Sequence, residues 1–419
     1  MIDENEIVSQ LRIVREASQH LVALDEEKRT SVLLSLANNL RQQAAKIIAE
    51  NQKDLALMPK DDPRYDRLLL SEERIFSIAD DVERVASLPQ ILNKIIEDKT
   101  RPNGLRMQRI SVPLGVIAVI YESRPNVTID VFTLAFKTGN ACVLKGGKEA
   151  AHSNKILTAL IQQTLEAQAI DSQVIYLLPA HREATSVLLR ARDLIDVCIP
   201  RGSQALIDFV RDQAKIPVIE TGAGIVHTYF DVSGDVEKAR LIINNAKTRR
   251  VSVCNALDSL VIHEKSLAHL PRIVELLPAA EVEIFADELS YQALQSSYPS
   301  ALLHKASPEN FGQEFLSYKM AIKTVDSLKE AVEHIKRHTS GHSEAIIAED
   351  EQAIVYFLTQ IDAAAVYVNA STAFTDGSEF GMGAEIGIST QKLHARGPMA
   401  LEALTSYKWL IRGDGQIRP

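Results

Sequence analysis

The chain is poor in cysteine: Cys142, Cys198 and Cys254 are three in 419 residues, an odd number without a Cys-x-x-Cys pair. That excludes a disulfide framework and a thiolate metal site, and reduced thiols are expected. Long apolar runs are also missing, since no window approaches the roughly 18 uninterrupted apolar residues of a membrane span. Met1-Ile-Asp-Glu-Asn-Glu-Ile7 has neither the basic region nor the apolar stretch of a secretory leader, so no membrane partner and a cytoplasmic location are expected. The net charge is −9, with no basic tail and no run of five lysines or arginines. Nucleic acid is therefore not an expected partner. Neither the G-x-G-x-x-G fingerprint nor a P-loop is present.

What is there is ordinary globular material. A hydrophobic fraction of 46% and a charged fraction of 24% exclude disorder. The length exceeds the size at which one core keeps growing, so more than one domain is expected. From Asp3 to about Met58 apolar residues recur at three and four positions, as in Ile7, Leu11, Val14 and Leu21, then Val32, Leu33, Leu36 and Leu40. This predicts two or three amphipathic helices, one starting at Asp25. Asp61-Asp-Pro63 predicts a break before a helical run from Ser71 to about Leu92. Arg101-Pro-Asn-Gly104 reads as the turn of a hairpin ending at Val112-Pro113.

Strand-length apolar runs then alternate with helical patterns: 116–121, 141–144, 174–178, 195–199 and 218–219, and, in a second series beginning near Phe230, 259–262, 319–322, 345–348 and 365–368. The alternation predicts α/β architecture with parallel sheets. Gly377 to Gly387 reads as a glycine-rich loop.

Four places carry candidate chemistry. Cys254 follows Lys247, Arg249 and Arg250, cations that favour a thiolate nucleophile; equally, a free cysteine reads as a small core hydrophobe. Lys145-Gly-Gly-Lys148 and Arg201-Gly-Ser203-Gln204 each follow a strand and open a helix, where backbone N–H groups favour an anion. A tight turn with solvated cations is the alternative. Glu220 ends a strand and is a candidate acid or base, or a surface carboxylate. His334, His338 and His342 recur at intervals of four, but no H-E-x-x-H pattern or nearby acidic ligand accompanies them, and no metal site is expected.

Taken together, the segments Pro113-Leu-Gly-Val-Ile-Ala-Val-Ile-Tyr-Glu-Ser-Arg-Pro-Asn126, Lys145-Gly-Gly-Lys-Glu-Ala150, Ser252-Val-Cys-Asn-Ala256, Tyr367-Val-Asn-Ala-Ser-Thr372, Gly383-Ala-Glu385 and Ser389-Thr-Gln-Lys-Leu-His-Ala-Arg-Gly-Pro398 resemble the aldehyde dehydrogenase superfamily. Within it they resemble the gamma-glutamyl phosphate reductases, also called glutamate-5-semialdehyde dehydrogenases, over essentially the whole chain. The segment Val325 to Ile346 is similar to a signature of that reductase, which gives the three histidines a non-metal explanation.

The resemblance implies an aldehyde dehydrogenase-like α/β fold of two Rossmann-like domains and a small bridging β element. It divides the chain into a cofactor domain (1–99 and 114–229), a catalytic domain (230–403) and a bridging, oligomerisation element (100–113 and 404–419). It implies Cys254 as nucleophile, Asn126 as side-chain oxyanion donor, Lys145, Gly202, Ser203 and Glu314 as cofactor contacts, and Arg124, Arg250 and Arg396 as substrate-binding cations. Lys148 stands where many NAD-using relatives carry an acid, which favours NADPH and its 2′-phosphate. The implied reaction is NADPH-dependent reduction of L-glutamyl 5-phosphate through a thioester, in proline biosynthesis. Its product is L-glutamate 5-semialdehyde. A homo-oligomer is expected, with glutamate 5-kinase as a separate partner. The rival chemistry is NAD-dependent, hydrolytic oxidation of a small aldehyde; a non-catalytic scaffold relative is a third class.

Overall fold

The computed structural model describes residues 4–62 and 64–418. Asp3 and Pro63, which mark a helix start and a break in the sequence reading, lie outside them. The chain packs as two compact units, Met1–Thr221 with Gly381–Gly387 and Leu393–Pro419, and Gly222–Phe380 with Ile388–Lys392.

The first unit opens with helices α1 (Glu4–Leu21), α2 (Glu26–Gln42), α3 (Ala44–Leu55), α4 (Tyr65–Leu68) and α5 (Glu72–Ser87). Their apolar stripes are buried, and Asp25 and Ser71 cap α2 and α5 by accepting from the N–H of Lys28 and Arg74. Helix α5 stops at Ser87, short of Leu92, because Leu88 precedes Pro89 and takes an extended ψ of 149°. The hairpin follows as β1 (Ile95–Thr100) and β2 (Arg106–Pro113), with Gly104 at φ +88° in its turn. The C-terminal strand Thr405–Arg412 pairs antiparallel along the other edge of β2, completing a three-stranded sheet.

Four parallel strands, β3 (Val116–Tyr121), β4 (Ala141–Lys145), β5 (Ile175–Leu177) and β6 (Val197–Arg201), alternate with α6 (Val127–Lys137), α7 (Ala151–Ala167), α8 (Arg182–Arg190) and α9 (Gln204–Gln213). The sheet order is β5-β4-β3-β6. Every residue of β3 is buried, as a central parallel strand covered on both faces requires. Residues 218–219 contribute only a bridge from Val218 to Cys198, since Pro217 offers no N–H to extend a ladder.

The second unit contains β7 (His227–Phe230), α10 (Val236–Thr248), β8 (Ser259–His263), α11 (Leu270–Ile273), β9 (Glu283–Ala286), α12 (Glu288–Leu294), β10 (Leu303–Lys305), β11 (Lys319–Val325), α13 (Leu328–His338), β12 (Ser343–Ile347), α14 (Glu351–Gln360) and β13 (Ala365–Val368). Seven strands form a parallel sheet in the order β10-β9-β11-β8-β7-β12-β13. Neighbouring residues feed opposite cores: Tyr229, Val261 and Ile346 join one cluster, and Phe230, Leu260 and Ile347 the other. Strands β9 and β10 escape the sequence reading because they are short and carry polar residues at Glu283, His304 and Lys305.

The second unit also buries an ion pair. Glu344 accepts from the His227 backbone N–H at 2.9 Å and lies 3.1 Å from its Nδ1, with both side chains 0% exposed; Thr339 donates to the same carboxylate. Burial works against a charged His227 imidazole, yet Glu344 overrides it and holds the group above its ordinary pKa. Glu344→Ala strips three donors of their acceptor. A loss of about 3–5 kcal/mol is expected, seen as a lower urea midpoint.

Among the described residues no helix is long and apolar enough to cross a membrane.

Candidate active site

The three cysteines differ sharply in surroundings. Cys142 on β4 and Cys198 on β6 are buried among apolar side chains; burial pushes the Cys142 thiol up, and that of Cys198 up to about 12. Cys254 is half-buried, in the turns between α10 and β8. A thiol that must meet a substrate fits only this third environment.

Five hydrogen bonds hold the Cys254 segment. Lys247, fully buried at the end of α10, donates from Nζ to the Leu257 carbonyl at 2.8 Å, so this cation fastens the loop's backbone. The Leu257 N–H donates to the Ala246 carbonyl at 3.0 Å. Asn255 donates from Nδ2 to the carbonyls of Ala373 and Thr375, while Thr372 Oγ1 donates to the Asn255 carbonyl at 2.9 Å. Those bonds join Ser252–Ala256 to Thr372, the last residue of the Tyr367–Thr372 motif, and to Ala373 and Thr375 just after it. Gly224 then packs directly on the Cys254 backbone: a Cβ built there falls 1.7 Å from the Cys254 carbonyl oxygen. Glycine is required here for close approach, a need that the short Gly222-Ala-Gly224 motif does not announce.

Glu314 closes the same cluster by accepting from the Gly224 N–H at 2.9 Å. Asp258 accepts from the N–H groups of Phe315 at 2.9 Å and Val226 at 3.3 Å, pinning the segment that carries Glu314 and the chain leading into β7. Burial holds Asp258 above and Lys247 below their ordinary pKa values, each partly offset by the other's charge. The second unit thus brings Cys254, Gly224 and Glu314 together, with Arg250 exposed at the loop's start.

The first unit gathers its candidates at the C-terminal ends of β3, β4 and β6. Lys145 is buried and donates to the carbonyls of Gly146 and Ala180, both at 3.2 Å. Burial lowers its pKa, against the pull of Glu149 and Glu122. Ser203 caps α9, accepting from the Leu206 N–H. Its own N–H donates to Glu122 at 3.0 Å, and a Cβ on Gly202 would meet that carboxylate at 2.5 Å. Glu149 accepts from the N–H and hydroxyl of Ser123. Lys148 is exposed at the start of the helical turn preceding α7. Sequence reading passed over Glu122 and Glu149. Their signal was position: one lies inside the Pro113–Asn126 motif, the other directly after Lys148.

Arg124 and Asn126 follow β3, half-buried, with Asn126 at the start of α6. Arg396 is exposed. Glu220, half-buried, lies 3.6 Å from Arg211 of α9. The three histidines separate: His334 and His338 lie tilted against each other on α13 with ring centroids 4.7 Å apart, whereas Gly341 at φ +74° turns the chain before His342, which leads into β12. Burial lowers His334 to about 3 and His342 to about 4. Among the described residues no group of three or more His, Cys, Asp or Glu is placed to hold a metal ion.

No family model matches the chain. It is 62% identical over 413 residues to a gamma-glutamyl phosphate reductase of Legionella pneumophila strain Paris, with 99% of each chain covered. The chain belongs to the gamma-glutamyl phosphate reductase family. A solved structure of a gamma-glutamyl phosphate reductase from Thermotoga maritima superposes with a TM-score of 0.94 at 38% identity, over 99% of this chain and 100% of that one. An acetylating aldehyde dehydrogenase from Geobacillus thermoglucosidasius shares the fold, with a TM-score of 0.71 at 20% identity over 99% and 98% of the two chains. The aldehyde dehydrogenase-like α/β fold expected from the motifs is borne out, and so is membership of the reductase family within it.

Proposed function

We propose that the protein reduces L-glutamyl 5-phosphate to L-glutamate 5-semialdehyde in proline biosynthesis, with NADPH as reductant and Cys254 as nucleophile. The observation that carries the reading is the Cys254 segment itself: the half-buried cysteine of the three, packed on Gly224 and beside Glu314. In this reading the thiolate attacks the acyl carbon and Asn126 donates to the developing oxyanion. The carbon–oxygen bond to phosphate breaks, phosphate leaves with the electron pair, and a thioester remains. When bound, the nicotinamide cofactor supplies the hydride that reduces this thioester carbon. Collapse of the thiohemiacetal releases the aldehyde and returns the thiolate.

The residues present fit a dinucleotide. Ser203 and Gly202 open the ten-residue helix α9, an end where a negative group is favoured and where the Glu122 carboxylate, which takes the Ser203 N–H, would have to give way to a phosphate. Lys145 would reach a ribose, Glu314 the other ribose, and Lys148 a 2′-phosphate. Arg124, Arg250 and Arg396 are the cations assigned to the substrate's phosphate and α-carboxylate. Glu220 stands opposite Arg211 and receives no water-activating role, since hydrolysis of the thioester would waste the acyl phosphate. Residues 1–99 and 114–229 would serve the cofactor, 230–403 the chemistry, and 100–113 with 404–419 a homo-oligomer; glutamate 5-kinase would supply the labile substrate.

The test is the reverse reaction. Oxidation of the semialdehyde, offered as pyrroline-5-carboxylate, is expected to require inorganic phosphate and to run faster with NADP than with NAD. Undiminished rates in phosphate-free buffer would instead assign the hydrolytic, NAD-dependent aldehyde oxidation.

A further inference from the structure

Asparagine is among the best helix N-caps, because its side-chain oxygen accepts an N–H of the first turn. Asn126 holds that position on α6 and does not use it. Its φ of −55° and ψ of −31° are helical, and it makes no side-chain cap bond. The amide nitrogen Nδ2 donates instead to Asp130 Oδ2, one turn on, at 2.8 Å. The two residues are also joined through the backbone, the Asp130 N–H donating to the Asn126 carbonyl at 3.0 Å.

We propose that Asp130 is the positioning residue of the Asn126 amide: by taking one N–H it fixes the amide plane and aims the second N–H as the oxyanion donor. The proposal rests on the oxyanion reading of Asn126. A primary amide has two N–H bonds in one plane, so a single bond to a fixed acceptor sets the direction of the other. Without that acceptor the amide is free to rotate and to cap its own helix, which turns the donor away. Asp130 sits on α6, a helix whose other residues are almost all buried, so the acceptor is as rigid as the core around it. Burial pushes the Asp130 carboxyl up to about 7, against the hydrogen bond from Asn126 and the charges of Arg201 and Arg124, and with the charge of Asp81. A neutral acceptor of the same shape should therefore serve nearly as well as the carboxylate.

The experiment compares Asp130→Ala, Asp130→Asn, Asn126→Ala and the double alanine variant in the phosphate-dependent oxidation of pyrroline-5-carboxylate. Asp130→Ala is expected to lower kcat by about 10- to 100-fold with KM little changed, below the loss from removing the donor outright. Asp130→Asn, whose side-chain oxygen accepts the same bond, should restore most of the rate. In the Asn126→Ala background, Asp130→Ala should cost nothing further, which a general loss of packing would not produce. Where Asp130→Ala does not fold, Asp130→Ser, too short to reach Asn126, takes its place with the same expectations. Impaired Asn126→Ala beside an unimpaired or fully additive Asp130→Ala overturns the positioning role and leaves the oxyanion reading standing. A silent Asn126→Ala overturns both.

Discussion

Cys254→Ala is expected to lower turnover by at least about 10⁴-fold while leaving the fold intact. The magnitude is that of losing a nucleophile whose covalent intermediate divides one difficult step into two. The fold is expected to survive because Lys247, Asn255 and Thr372 hold the segment through bonds that the substitution leaves in place. Lys247 still reaches the Leu257 carbonyl, Asn255 still bridges to Ala373 and Thr375, and the half-buried position leaves little cavity. Reverse-direction kinetics read the first effect and thermal unfolding the second. Residual turnover near that of the parent would remove Cys254 from the chemistry. Cys142 and Cys198, buried with raised thiol pKa values, would make poor substitutes.

Gly224→Ala is the second large effect, and it acts through the backbone. The new methyl would lie 1.7 Å from the Cys254 carbonyl oxygen, 2.5 Å from its carbonyl carbon and 2.7 Å from its Cα. All three are backbone atoms, so no rotamer change relieves the overlap. Either the segment carrying Cys254 moves or the Glu314–Gly224 contact opens. A displacement of about 1 Å at a reacting group costs on the order of 10²-fold in rate. Overpacking adds about 1–3 kcal/mol of destabilisation. Kinetics and a urea titration on one preparation separate the two. Gly312→Ala is the comparison, because its nearest neighbour is a side-chain nitrogen of His338 at 3.1 Å, and it should be mild on both counts.

Much of the fold was legible because its signals are local. Caps at Asp25 and Ser71, the apolar stripes of α1 and α2, the turn at Gly104 and the continuous apolar run of β3 each need only a few neighbouring residues to be read. The short strands β9 and β10 were not, since three or four residues with polar ends carry no period. The site divides in the same way. Cys254, Lys145 and Ser203 were visible in sequence motifs. The contacts that shape them are made by tertiary packing: Gly224 against the Cys254 backbone, Glu122 on the Ser203 N–H, Asp258 beneath Phe315. Lys247 shows the difference. Its spacing reads as a cation near the nucleophile, whereas its burial and its bond to Leu257 make it a fastening of the loop. Asn126 and Asp130 were four apart in plain view, yet only the structure distinguishes a capping amide from one turned away from its cap.

The central claim is that acyl transfer passes through a thioester on Cys254, and it is tested most directly by trapping that species. Incubation with pyrroline-5-carboxylate and NADP in phosphate-free buffer, followed by acid quench and peptide mass spectrometry, should place a glutamyl adduct on the peptide containing Cys254. Added phosphate should discharge it and restart turnover. Steady turnover with no adduct on that peptide, or an adduct on another residue that phosphate discharges, would contradict the account.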